Sequence, residues 1–205
     1  MRADFGIISI GAYIPRRRLQ RAVIHQANSW FAPNLRGLAR GEKAIVNWDE
    51  DAVTMAVDAA RDCLVGYAKE DVKALSLAST TLPFVDRLNS GIVKEALNLS
   101  EDMQALDVTG GQRAGTSALI QALKGDETQL CLAADNRKAR AGSEGEMLQG
   151  DAAGAVLVGE GAPIATLRGS HSMTIDFVDH FRSTGEDLIM LGKNAGCGTK
   201  AFKMF

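Results

Sequence analysis

Short apolar runs and longer runs with helical spacing succeed one another along the chain. Phe5 to Ile10 predicts a first strand, which Gly11-Ala-Tyr-Ile-Pro15 ends. Arg21 to Trp30 predicts a short helix, and Pro33 to Lys43 an irregular loop with the cations Arg36, Arg40 and Lys43. Ala52, Val53, Ala56, Val57, Ala60 and Leu64 then fall on one face of a helix. The start of that helix is expected at Asn47, with Glu50 three residues on returning the bond of a capping box. Val72 to Leu77 predicts the next strand and Asn89 to Leu97 a helix. Met103 to Val108 predicts a buried strand, and Ser117 to Leu123 a helix that Gly125 stops. Thr128 to Ala133, Ala155 to Val158 and Pro163 to Arg168 predict further strands.

The chain is organised around Asp107-Val-Thr-Gly-Gly-Gln-Arg-Ala-Gly-Thr-Ser-Ala-Leu119. A strand runs into it, a helix leaves it, and a Gly-rich turn lies between. Such a junction exposes one side chain and aims the positive end of the helix at whatever binds there. Acyl-transfer enzymes use this arrangement because it lowers a thiol pKa and stabilises an oxyanion.

Composition narrows the class. The chain of 205 residues is 46% hydrophobic with 5% aromatics, as in an Ala/Val/Leu-rich α/β protein. A net charge of −2 argues against nucleic acid as a partner, and no apolar run is long enough for a membrane span. Cys63, Cys131 and Cys197 are odd in number and widely spaced. They read as reduced thiols in a cytoplasm, with Cys63 and Cys131 as core thiols. The histidines His25, His171 and His180 show no metal-ligand spacing. His171 and His180 are expected on surface or loop. Gly192 to Gly198 surrounds Cys197 with glycine and reads as an exposed tail.

The stretch Gln112-Arg-Ala-Gly-Thr-Ser-Ala-Leu119 resembles the active-site turn of the thiolase superfamily, most of all the hydroxymethylglutaryl-CoA synthases of archaeal and bacterial type. The Tyr-Ile-Pro opening, Arg40-Gly-Glu-Lys43, Asp49-Glu-Asp51 and its helix, Ser143-Glu-Gly-Glu146 and Gly150-Asp-Ala-Ala-Gly154 resemble the same family in order. The resemblance runs over roughly residues 5–185. It implies an α/β thiolase-like fold, one βαβαβαββ half with helices packed on a mixed five-stranded sheet. That half-domain is expected over 4–186, followed by a Gly/Lys-rich tail over 187–205.

The family's acyl-carrying cysteine falls on Gln112. Aligned through Pro83, its general acid/base glutamate falls on Thr80, and a threonine does not exchange protons near neutral pH as a carboxylic acid does. Gln112 and Thr80 are therefore the candidate catalytic positions. The family's catalytic histidine comes from the second half of its chain. Arg16, Arg36 and Lys43 are the candidates for the phosphates of coenzyme A, whose thioester is the implied substrate, with no covalent cofactor. Asp151 reads as a loop-fixing acceptor.

A glutamine forms no acyl-enzyme, but its amide can hydrogen-bond a carboxylate or an enolate oxygen. The resemblance thus implies an acyl-CoA-handling subunit that makes or breaks a C–C bond. Decarboxylation or retro-aldol cleavage has precedents among superfamily members without the cysteine. The implied partners are a second-half thiolase-like chain, a zinc-ribbon/OB-fold protein, or further copies in a homo- or hetero-oligomer. A non-catalytic scaffold and a truncated pseudoenzyme are the alternatives.

Overall fold

The computed structural model describes residues 4–175, 180–183 and 185–191. In chain order the elements are β1 (Phe5–Tyr13), β2 (Arg17–Gln20), α1 (Arg21–Asn28), β3 (Glu42–Ile45), α2 (Ala52–Cys63), β4 (Ala74–Ala78) and α3 (Asn89–Leu97). They continue with β5 (Gln104–Val108), α4 (Ala114–Lys124), β6 (Gln129–Asp135), α5 (Glu144–Leu148), β7 (Ala152–Glu160), β8 (His180–Phe181) and β9 (Met190–Leu191). The chain divides into two compact units. One holds residues 4–19, 44–136 and 150–170, and the other the remaining described residues.

The first unit is built on a five-stranded sheet in the order β1-β7-β6-β4-β5. β4 pairs in parallel with β5 and β6, whereas β7 runs antiparallel to both β6 and β1. Leaving out the β2-β3 and β8-β9 pairs and the helices of the second unit, the order is β1-α2-β4-α3-β5-α4-β6-β7. This is the expected βαβαβαββ half on a mixed sheet. β4 reads Ala-Leu-Ser-Leu-Ala, and all five residues are buried, as a strand covered on both faces requires.

Helices α2 and α3 cover one face. Met55, Ala56, Ala59, Ala60 and Cys63 of α2 pack with Leu75, Leu77, Leu130, Leu132 and Leu157 of the strands. Each buried leucine contributes about 1.5–3 kcal/mol. Helix α4 covers part of the other face, through Ala114, Ala118 and Ala122. Gly11 lets α2 sit directly on β1. A Cβ there would lie 2.3 Å from the Cys63 nitrogen and 2.5 Å from the Ala59 oxygen.

Several expectations are corrected. Helix α2 begins at Ala52, and its capping box is Asp51 with Thr54. The Glu50 carboxylate does accept the Asn47 N–H at 2.6 Å, but in the turn before the helix. β5 is not buried: it is one of the sheet's two edge strands, and Leu106 is 53% exposed. Pro163 to Arg168 forms no strand, only a single antiparallel bridge from Ala165 to Ile7. Glu42 and Lys43, placed at the end of a loop by the sequence reading, open strand β3. Cys197 and most of the proposed tail lie outside the described residues.

The second unit centres on Glu146. Its Oε2 accepts from the Gly142 N–H at 2.6 Å and from Asn28 Nδ2 at 3.4 Å. Its carbonyl oxygen accepts Lys43 Nζ at 2.7 Å, and the neighbouring Met147 carbonyl accepts Arg21 Nε at 2.7 Å. Ser143 caps α5 by accepting the Glu146 N–H at 3.2 Å. β8 and β9 pair antiparallel.

Candidate functional site

The Gly-rich turn joins a strand to a helix as the sequence predicts, but the helix starts at Ala114, three residues before the expected Ser117. β5 ends at Val108, Gly110 takes a φ of +94° that favours glycine, and α4 starts at Ala114. Gln112 stands exposed on this turn. The N-cap residue, Arg113, makes no side-chain cap. A helix leaves its first N–H groups without intrahelical partners, so this end suits an oxygen bearing negative charge.

A cleft of about 470 Å³ opens at the turn. Gly111, Gln112 and Gly115 line it from the turn and α4, and Ser79, Thr80 and Asp135 from the ends of β4 and β6. The structure therefore brings both candidate catalytic positions, Gln112 and Thr80, to one cavity. Arg16, Arg36 and Lys43 are not among its lining residues. Arg16 and Arg36 are exposed, and Lys43 is half-buried with its ammonium on the Glu146 carbonyl.

Asp135 was not singled out by the sequence reading. It ends β6, and one carboxylate oxygen, Oδ1, gathers four donors. These are the Thr80 N–H at 2.7 Å, the Ser79 hydroxyl at 3.0 Å, the Thr80 hydroxyl at 3.1 Å and the Thr81 hydroxyl at 3.2 Å. The Ser79 oxygen accepts the Thr81 N–H at 2.9 Å, and the Thr81 oxygen accepts the Asn136 N–H at 3.0 Å. The loop after β4 is thereby tied to the end of β6 in a defined shape. The signal was an acid at the end of one strand and a Ser-Thr-Thr run at the end of another.

Asp107 performs a similar task on the far side of the turn. Its carboxylate accepts the Asn89 N–H at 2.8 Å, Asn89 Nδ2 at 2.9 Å and the Ser90 N–H at 2.7 Å, capping α3. Burial alone would push this carboxyl up. The hydrogen bonds from Asn89 and Ser90 outweigh burial and hold it below the usual carboxylate range.

The two described thiols are core groups, as expected. Burial raises the pKa of Cys63, and it pushes that of Cys131, whose residue lines the cleft from β6, to about 11. Neither is ionised near neutral pH, so neither is poised as a thiolate nucleophile. Asp151 fixes a loop as predicted: its Oδ2 accepts the Val46 N–H at 2.8 Å. His171 is exposed. Among the described residues no helix is long and apolar enough to cross a membrane.

No family model matches the chain. Curated relatives do. The hydroxymethylglutaryl-CoA synthase of Archaeoglobus fulgidus is 31% identical over 185 residues, which is 86% of this chain and 54% of that protein. The one from Pyrococcus horikoshii is 30% identical over 192 residues, 89% of this chain and 53% of its own. The chain spans about half the length of the curated relatives it matches. Among solved structures, an HMG-CoA synthase complexed with CoA matches 96% of this chain and 52% of its own, at a TM-score of 0.83 and 22% identity. The HMG synthase of the curacin biosynthetic pathway, in complex with an acetyl donor carrier protein, matches with a TM-score of 0.79 at 19% identity.

Proposed function

Because the chain is similar to the N-terminal half of hydroxymethylglutaryl-CoA synthases and has their thiolase-like fold, we propose that it is an acyl-CoA-handling subunit that acts at a C–C bond. The observation that carries this reading is the convergence of Gln112, the start of α4 and the Ser79–Thr81 loop on one cleft. The relatives' names supply the substrate class. The cleft supplies a place for a thioester carbonyl beside an amide donor.

Gln112 sets the kind of chemistry. Without a thiol at this position no acyl-enzyme forms, so the reaction is a cleavage or decarboxylation rather than a condensation through an acylated side chain. The Gln112 amide donates to the thioester oxygen as it takes on enolate charge, and the N-terminal end of α4 favours that charge. Thr80 does not act as acid or base. Its N–H and hydroxyl both turn to Asp135, and its role is to shape the wall. The catalytic histidine, on this reading, comes from a second thiolase-like half, and the working unit is an oligomer.

The test is to incubate the purified protein with malonyl-CoA and with hydroxymethylglutaryl-CoA, alone and with any co-purifying chain, and follow the products by mass spectrometry. Acetyl-CoA formation that Gln112→Ala abolishes supports the reading. Binding of either thioester without product, unchanged by Gln112→Ala, leaves a non-catalytic scaffold as the better account. That second reading draws on Thr80, whose hydroxyl is spent on internal structure.

A further inference from the structure

We propose that Gly154 sets how large an acyl group the cleft admits. The inference rests on the acyl-CoA reading above and deepens it.

The strand registers place two rows of residues across the sheet. Ala12, Gly154, Ala133 and Ala78 stand side by side on β1, β7, β6 and β4. Two residues along each strand, Ile10, Val156 and Cys131 form the next row on the same face. Gly154, Ala133 and Ala78 of the first row line the cleft, as do all three of the second. The first row adjoins the strand ends that carry Thr80 and Asp135. The second lies about 7 Å further in, two residues at the usual rise. The first row is thus a shallow trough of very small side chains, and the second is a wall of bulkier apolar ones.

Gly154 needs a reason to be glycine. It sits inside a strand, where glycine weakens the sheet and often marks the close approach of a ligand or another backbone. It has no positive φ. A Cβ built on it meets nothing within 4 Å. Gly11 and Gly115 differ. The first would drive its Cβ into α2, and the second would bring its Cβ to 3.2 Å from that of Ala133. Neither packing nor backbone conformation in the first unit calls for glycine at 154, and the space it leaves belongs to the cleft that Gln112 lines. Ala133 beside it is exposed although β6 lies inside the sheet, so this stretch of the face is uncovered. An acyl chain that enters past Gln112 lies over Gly154 and Ala133 and stops against Ile10 and Val156. The trough therefore limits the length of the acyl group, and a residue with branches at 154 shortens it further.

The experiment is calorimetric titration of the wild type, Gly154→Ala and Gly154→Val with acetyl-CoA and butyryl-CoA, alongside thermal unfolding. The expected result is that the preference for acetyl-CoA over butyryl-CoA rises roughly tenfold or more in Gly154→Val, the scale of a filled apolar subsite, and less in Gly154→Ala. Neither variant is expected to lower Tm, since the added atoms enter open space. If Gly154→Val does not fold, the same direction of change in Gly154→Ala carries the test. A preference unchanged from wild type, with both thioesters bound, overturns the role of Gly154 and leaves the acyl-CoA reading intact. A lowered Tm in both variants with the two thioesters weakened alike assigns the glycine to structure and also overturns it. Failure of the wild type to bind either thioester overturns the acyl-CoA reading, and this inference with it.

Discussion

Asp135 Oδ1 accepts both the backbone N–H of Thr80, at 2.7 Å, and its hydroxyl, at 3.1 Å. One carboxylate oxygen thus sets the position of a cleft residue in two ways. Replacement by alanine leaves the Thr80 N–H and three hydroxyls to find other partners. Asp135→Ala is expected to cost about 2–3 kcal/mol, the scale of lost hydrogen bonds to a charged group. Urea denaturation followed by circular dichroism measures it. A cost below roughly 0.5 kcal/mol, the range of ordinary surface changes, shows that the loop holds itself.

Asp107 gives the fold a dependence on acid. Its carboxyl lies below its ordinary value near 3.9, so the folded state binds this proton less readily than the unfolded state. The resulting stability is fully present above the unfolded value and is lost as pH falls through the lower folded one. Tm of wild type and Asp107→Asn, measured across pH, should differ most near neutrality and converge below about pH 4. A difference that stays constant through the acid range refutes this account.

Asp51 accepts the Thr54 N–H at 2.8 Å, and Thr54 Oγ1 accepts the Asp51 N–H at 2.7 Å. Asp51→Ala is expected to cost about 1 kcal/mol, the usual worth of an N-cap. Asn47→Ala should cost less than this, because Asn47 precedes the helix rather than capping it. Chemical denaturation of the two variants ranks them.

Gly11 and Gly154 make opposite predictions. A methyl at Gly11 enters the backbone of α2, and Gly11→Ala is expected to destabilise by about 3 kcal/mol, at the upper end for overpacking. The scan that shows Gly154→Ala unharmed should show Gly11→Ala with a clearly lowered Tm.

The thiols give a further test. In a Cys197→Ser background, Cys63 and Cys131 should react with a disulfide reagent at neutral pH only on unfolding, since both are buried and burial raises both pKa values. Rapid labelling of the native protein shows that one of them reaches solvent.

The legibility of the chain follows from the range of the interactions concerned. The α2 face from Ala52 to Leu64 and the bounds of α3 were readable because helical spacing is local. The turn at Gln112 was readable because a strand, glycines and a helix succeed one another within a few residues. The cap at Asp51 was missed because two acids, Glu50 and Asp51, each fit half of a capping pattern. β5 was read as buried because Ala105, Leu106 and Val108 are apolar, yet being an edge strand depends on which strands lie beside it. Asp135 was invisible for the same reason, and Gly154 was read only as part of a small-residue motif. Their neighbours, Thr80 and Ala133, are distant in sequence, and only the registers of β6 and β7 bring them together. The second unit assembles residues 20–43 with 137–149, a pairing that no local pattern announces.

The place of β7 between β1 and β6 has a consequence for how the chain comes to be folded. β1 precedes the other strands of its sheet in the chain, but its one neighbour in the sheet begins only at Ala152. Until β7 has emerged, β1 can rest on α2 but cannot complete its hydrogen bonds, while β4, β5 and β6 can already join. The earliest of these strands in the chain is among the last to be seated, and closing so long a loop is the slow step expected of the sheet. During synthesis, the apolar stretch from Phe5 to Ile10 therefore waits longest among the strands of this sheet for its neighbour.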